Sequence, residues 1–266
     1  MKTRTAPVWV WLLTALCAAV LAAPTLILIP MSFSASKSLS FPPQGFTFDW
    51  YANFFTDEAW ISAARVSLLV GLSTSVLAVV LGIPLAMSLV RSQYRGLGAV
   101  SALVLGPAVI PAVIMGIGMY QAFSQLGLVR TIPGLIVAHT VLALPLVVIT
   151  LVAGFQSLDR NLELAANNLG AGPVRTFVHA MLPPMLPSIA IAGVYGFVTS
   201  WDEMIVSLFL TGPQLSTLPV QMWNQVRNEA DPTTIAVSTM LVTLSTVVIV
   251  AVFVVSKLGN RKGHQA

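Results

Sequence analysis

Charge is what this 266-residue chain has least of: Asp, Glu, Lys and Arg make up 8% of it, against 56% hydrophobic residues. A soluble domain carries about 25% charged residues. A globule of this composition would have too little polar surface to face water, so a water-soluble fold is excluded and the apolar blocks are expected to face lipid. The net charge of +4 does not point to nucleic acid, because the basic residues sit in short loops and tails, where they set membrane orientation. Cysteine is nearly absent. Cys17 stands alone in an apolar run, so neither a disulfide nor a cysteine metal site can be built. His139, His179 and His264 are far apart and show no ligand spacing. No metal is expected, and His139, within an apolar run, reads as a packed or hydrogen-bonded side chain. The chain also lacks G-x-x-x-x-G-K-[ST], H-E-x-x-H and G-x-S-x-G, so it carries none of the phosphate cradle, zinc-protease helix or nucleophile elbow that those patterns build.

What is present is long apolar runs. A bilayer crossing needs about 20 apolar residues, and six segments qualify: 8–29, 66–90, 97–123, 132–155, 186–210 and 234–255. All are expected to be helices, since lipid cannot satisfy free backbone groups. The fold class read from this is an all-α, polytopic membrane bundle of six transmembrane helices forming a single domain over residues 1–266, with a cytoplasmic loop at 156–185. Lys2, Arg4 and Ala22-Ala23-Pro24 outline a secretory signal. The apolar run continues through Ile29, however, beyond the 7–15 residues of a signal core, and reads as a retained span. Gly82-Ile83-Pro84, Pro107, Pro111 and Pro145 interrupt the spans. They mark either a bundle around a lined cavity or kinked packing alone. With the N-terminus in the cytoplasm, that side holds Lys2, Arg4, Arg91, Arg95, Arg160, Arg175, Lys257, Arg261 and Lys262, and the outer side holds Lys37, Arg65, Arg130 and Arg227. This asymmetry places both termini inside. The outer segment 31–60 carries Phe48, Trp50, Tyr51, Phe54 and Phe55, aromatic residues of the kind that collect at the membrane interface.

The loop from Ser157 to Pro187 is the most informative stretch. Asp159 is a good N-cap. Leu162, Ala165, Ala166 and Leu169 follow at i, i+3, i+4 and i+7, which makes one apolar stripe. Gly170 stands where a left-handed C-terminal residue is wanted, and Pro173 suits the first position of a second short helix running to about Leu182. The loop therefore reads as two short helices joined by the tight Gly170-Ala171-Gly172 turn, with Pro183, Pro184 and Pro187 governing the start of the next span. Such a loop is either a lid on the chain's own bundle or a knob that docks into a separate cytoplasmic protein.

The segment resembles the coupling loop of ABC importer permeases: Glu-Ala-Ala, three residues, Gly, nine residues, Ile, any residue, Leu-Pro. Ala165, Ala166, Gly170, Leu182 and Pro183 match that spacing. Leu164 replaces the motif Glu and Ala180 the motif Ile, while Glu163 comes one residue early, turned about 100° away on a helix. Gly193, Phe197, Ser200-Trp201-Asp202-Glu203, Thr211-Gly212-Pro213, Thr217-Leu218-Pro219 and Gln221-Met222-Trp223 are similar to spermidine/putrescine permeases. The resemblance implies a non-catalytic type I importer permease without a cofactor of its own. Its implied partners are a second permease subunit, a cytoplasmic ATPase dimer that binds the ATP, and a periplasmic solute-binding protein. Asp159, Leu162, Glu163, Ala165, Ala166, Gly170 and Ala171 would meet the ATPase. The implied solute is a polyamine, with an opine, a phosphonate or an amino-acid-like solute as alternatives. A stand-alone secondary transporter, which would be expected to show internal repeats, and a membrane enzyme are the competing classes.

Asp202 and Glu203 lie inside the fifth span, where a charge costs about 2.5–3.5 kcal/mol on insertion scales. Tyr195 precedes Asp202 by two helical turns and Trp201 adjoins it. An aromatic ring beside a carboxylate suits a polyamine through cation–π contact and charge pairing, which makes Tyr195, Trp201, Asp202 and Glu203 a candidate substrate path. The alternative is a structural cap on a broken helix, or pairing with the other permease subunit.

Overall fold

A computed structural model of the chain describes residues 7–37, 41–92, 95–228 and 231–262. Lys2, Arg4, Glu229 and His264 lie outside the described residues. The regular elements among the described residues are helices, with no strand among them. In chain order the helices are α1 (Val8–Met31), α2 (Asp49–Thr56), α3 (Glu58–Arg91), α4 (Leu97–Leu105), α5 (Ala112–Gln125), α6 (Ile132–Ser157), α7 (Arg160–Asn168), α8 (Pro173–Thr176), α9 (Leu182–Trp201), α10 (Ile205–Leu210), α11 (Leu218–Asn228) and α12 (Thr233–Lys262).

Two compact units divide the chain. The first holds residues up to Ile61 together with Met222–Val247. Its α1 runs unbroken through Ala22-Ala23-Pro24 and buries none of its residues. Phe33 stacks on Phe46 and Tyr51, with ring centroids 5.2 Å apart in each pair, and Phe48 meets Phe33 edge-on at 5.4 Å. The aromatic residues of this segment therefore pack on one another. Trp50 Nε1 donates to the Ser34 carbonyl at 2.7 Å, and Asn53 Nδ2 donates to Thr233 Oγ1 at 3.0 Å, tying α2 to the start of α12.

The second unit spans Ser62–Gln221 and takes in the end of α12 from Val248. Its central element is α6, which is apolar on every side and buries Leu135, Ala138, Ala143, Val147, Val148, Leu151 and Phe155, as expected of a helix enclosed by other helices. Ala78 and Ala86 of α3, Val104 of α4 and Met185 and Ala192 of α9 close on it from outside. The alanines allow close helix approach where lipid supplies no hydrophobic drive and van der Waals packing must do the work. Ser75 Oγ on α3 donates to the Gly193 carbonyl on α9 at 2.6 Å, a further tie between the two helices.

The spans differ from expectation in three places. Among the described residues, four helical runs have the length and composition to cross a bilayer: α1, α3, α6 and the continuous run Pro173–Trp201. The expected span at 97–123 is instead two helices bent by 106°, because Pro107 lies within a short 3-10 turn, Gly106–Ala108, and Pro111 caps the start of α5, so the chain cannot continue as α-helix through both. The expected second loop helix does not stop near Leu182. From Pro173 it passes through one π-helical turn, Phe177–Met181, straight into α9. A proline ring collides with the carbonyl four residues back in an α-helix, and the wider turn sits where Pro183 and Pro184 would make those collisions. The expected span at 186–210 is broken as well: α9 stops at Trp201 and α10 begins at Ile205. Among the described residues, helix length and composition thus give four candidate crossings, or five counting the bent pair, and α12 (Thr233–Lys262) covers the expected sixth span at 234–255.

Candidate functional site

The α7 loop is built by local capping. Asp159 takes an extended backbone and its side chain accepts from the Asn161 N–H at 2.9 Å, satisfying one of the free donors of the first turn. At the other end Gly170 has φ +81°. Its N–H donates to the Asn167 carbonyl at 2.9 Å and the Ala171 N–H donates to the Ala166 carbonyl at 3.0 Å. This is the paired closure that a left-handed C′ residue permits. Pro173 then opens α8, and Thr176 Oγ1 donates to Asn167 Oδ1 at 3.2 Å across the turn.

The side of α7 that faces inward was not legible in the stripe. Glu163 and Ala166 are half-buried, whereas Ala165 is exposed and Leu162, Leu164 and Leu169 are 41%, 52% and 89% exposed. Val174 on α8 is 77% exposed. The leucines of the stripe are therefore exposed, while Ala166 and the neighbouring Glu163 turn inward. Glu163 forms an ion pair with Arg91, the last residue of α3, and each side chain is 20% exposed. Arg91 also stands at the helix end where a cation is favoured.

The second cluster surrounds the break between α9 and α10. Glu203 caps α10: its carboxylate accepts from the Val206 N–H at 3.0 and 3.1 Å and from the Ser207 N–H at 3.3 Å. Asp202 ends α9, with its N–H on the Val198 carbonyl at 3.1 Å. Its side chain is exposed, and among the described residues no hydrogen bond or ion pair engages its carboxylate. Tyr195 is 43% exposed. Trp201 is buried, with its ring stacked on Phe197 at 5.3 Å. Of the four residues read as one path, the structure thus separates two roles for carboxylates: Glu203 is engaged by backbone and Asp202 is open.

His139 joins this cluster from α6, where it is 1% exposed. Its Nδ1 lies 2.7 Å from Ser200 Oγ on α9 and its Nε2 2.9 Å from Ser207 Oγ on α10. One imidazole thereby holds both sides of the break. The sequence marks His139 as a packed or hydrogen-bonded side chain without indicating these partners. The only available signal was an imidazole in one apolar run and serines in another, which fixes no register between them.

The described residues thus combine membrane-length apolar helices with a capped loop of short helices whose leucines are exposed. A family model described as binding-protein-dependent transport system inner membrane component matches residues 78–258, and the chain belongs to that family. It is 31% identical over 228 residues to the spermidine/putrescine transport system permease protein PotC of Escherichia coli (strain K12), covering 86% of each chain. It is also 31% identical over 215 residues to the trehalose transport system permease protein SugB of Mycobacterium tuberculosis (strain CDC 1551 / Oshkosh), covering 79% of this chain and 78% of that one. Among solved structures it superposes on a chain of a bacterial alginate ABC transporter in complex with an alginate pentasaccharide-bound periplasmic protein. The TM-score is 0.69 at 19% identity, over 96% of this chain and 94% of that one. The protein is a multi-pass permease subunit of a transport system, with no catalytic role of its own.

Proposed function

We propose that the chain forms the pathway of an ATP-driven importer together with a second permease subunit, and that the solute is a small organic cation of the polyamine class. The observation that carries the solute reading is the Asp202 carboxylate. It lies at a helix break in an apolar segment without a partner, while the adjacent Glu203 is consumed in capping α10. A polyammonium solute must shed water inside the bundle, and a fixed carboxylate replaces that water at low cost. Exposed Tyr195, two turns earlier, offers a ring face for cation–π contact. The name of the PotC relative supports the same class.

In this reading both termini are cytoplasmic, and the loop at 156–185 carries the coupling contact. Asp159 and Gly170 shape the knob, and Leu162, Ala165 and Leu169 present its exposed surface to a cytoplasmic ATPase dimer. Ala166 and Ala171 close the turn from within, and Glu163 braces it on Arg91. ATP is bound by that partner, and a periplasmic binding protein delivers the solute.

The test is uptake into proteoliposomes holding the purified complex. Asp202→Asn is expected to cut putrescine uptake at least tenfold, about 1.4 kcal/mol, with complex yield unchanged. Normal uptake by that variant would sink the cation-path reading. The SugB relative favours a neutral sugar as the second reading. Under it, trehalose and not putrescine would be taken up, and Asp202→Asn would leave uptake intact.

A further inference from the structure

Arg130 is the one non-glycine residue with a positive φ among the described residues, at 60°. An arginine adopts this left-handed conformation seldom, and keeps it where the surroundings over-determine it. Here they do. Its N–H donates to the Leu210 carbonyl at the end of α10 at 2.8 Å. The next residue, Thr131, caps α6: its Oγ1 accepts from the Gly134 N–H at 3.1 Å and donates to the Leu128 carbonyl at 2.7 Å. The Leu128 N–H donates back to Phe123 on α5 at 2.9 Å. The short loop is thereby fixed to α5, α6 and α10.

The Arg130 side chain lies across a second tight turn. Gly212 donates to the Leu215 carbonyl at 2.9 Å and Leu215 donates to the Gly212 carbonyl at 3.1 Å. A Cβ placed on Gly212 would stand 2.9 Å from Arg130 Nε and 3.1 Å from its Cδ, so position 212 must lack a side chain for the arginine to rest there. Arg130, Gly212, Pro213, Gln214 and Leu215 line a cavity of about 240 Å³. The guanidinium forms no ion pair among the described residues. The only acids of Ser62–Gln221 are Asp159, Glu163, Asp202 and Glu203, which belong to the α7 loop and the α9–α10 break. The 26 residues of α6, about 39 Å of helix, separate this cavity from the start of the coupling loop, so the two lie at opposite ends of that span.

We propose that the cavity is the seat for an Asp or Glu side chain of the periplasmic solute-binding partner. The inference rests on the importer reading above, which places this end of α6 outside the cell. A guanidinium presents a planar fork of donors that matches a carboxylate in bidentate fashion, and here the fork is held in advance by a constrained backbone and a glycine seat. The Gln214 amide on the cavity wall adds a further donor. Holding the cation in place before contact lowers the ordering cost of association.

The experiment measures binding of the liganded periplasmic protein that supports uptake, fluorescently labelled, to the purified complex in detergent and in nanodiscs with and without anionic lipid. Arg130→Gly keeps a residue suited to positive φ and removes the cation, while Arg130→Glu reverses the charge. Affinity is expected to fall about tenfold or more in both, with Arg130→Lys intermediate because an ammonium lacks the fork. The salt dependence of binding should be flatter for Arg130→Gly than for the unaltered chain. Equal affinity and equal salt dependence for Arg130→Gly would overturn the seat and leave the importer reading standing. An effect seen only with anionic lipid would assign the cation to a phospholipid headgroup, and would also overturn it. If the unaltered complex engages no periplasmic protein, both readings fall.

Discussion

His139 spans the α9–α10 break with two hydrogen bonds, and its removal should be felt in stability before it is felt in chemistry. His139→Phe fills the space but strands Ser200 Oγ, for which no other partner is present among the described residues. Ser207 Oγ keeps its bond to the Glu203 carbonyl at 3.2 Å. A buried hydroxyl without a partner costs about 1–3 kcal/mol, whereas removing both partners can be nearly neutral. Thermal unfolding of the detergent-solubilised complex is therefore expected to shift down for His139→Phe and to recover in part when Ser200→Ala is added. A double variant no more stable than the single one would show that the imidazole braces nothing through Ser200. Beside it, Glu203→Gln leaves only one oxygen to accept from the Val206 and Ser207 N–H groups and removes a negative charge from a helix N-terminus. A loss of about 1 kcal/mol in the same assay is expected, with uptake per assembled complex retained, in contrast to Asp202→Asn.

The α7 loop gives two predictions that separate shape from charge. Nothing stands within 4 Å of a Cβ placed on Gly170, so a side chain there meets open space and is opposed only by its φ of +81°. Gly170→Ala should cost about 1 kcal/mol of local stability and assemble normally. Gly170→Leu is expected to insert in the membrane yet lose ATPase co-purification and uptake, because it adds bulk at the tip of the proposed docking surface. Full uptake by Gly170→Leu would refute that docking role. Glu163→Gln uncouples α7 from Arg91 and leaves a mostly buried guanidinium without its counter-charge, so it should reduce uptake more than Leu164→Ala, whose side chain is largely exposed. The difference in uptake between the two variants is the measurement. This loop also shows where sequence reading succeeds. Asp159, Gly170 and Pro173 act within one turn of themselves, so their types report their conformations directly. The Arg91–Glu163 pair joins residues with no shared period, and it corrects the apparent one-residue slip of the carboxylate: Glu163 is turned inward to Arg91, and Leu164 takes the outward position. The break at 202–204 contains neither Gly nor Pro, and its signal in the sequence was the pair of intramembrane acids, whose alternative reading as a cap on a broken helix Glu203 fulfils, while Pro183, Pro184 and Pro187, which advertise a break, lie inside a continuous helical run.

For the whole chain, the proposed orientation predicts which ends share a compartment. Reporters fused after Ala266 and inserted near Gly172 should both read cytoplasm, and one inserted near Asn228 should read the opposite side. A cytoplasmic signal near Asn228 would invert the outer assignment of the Arg130 cavity as well. The run from Pro173 to Trp201 has a mechanical meaning within that frame. Its 29 residues make a rod of about 44 Å whose near end belongs to the coupling loop and whose far end is the residue before Asp202. Along it lie one π-helical turn, Phe177–Met181, and Pro187, and beyond it comes the three-residue elbow that holds the open carboxylate. Beyond that elbow, α10 ends at Leu210, whose carbonyl holds Arg130. One continuous helical run and one short helix thus link, end to end, the proposed coupling loop, the open carboxylate and the Arg130 turn.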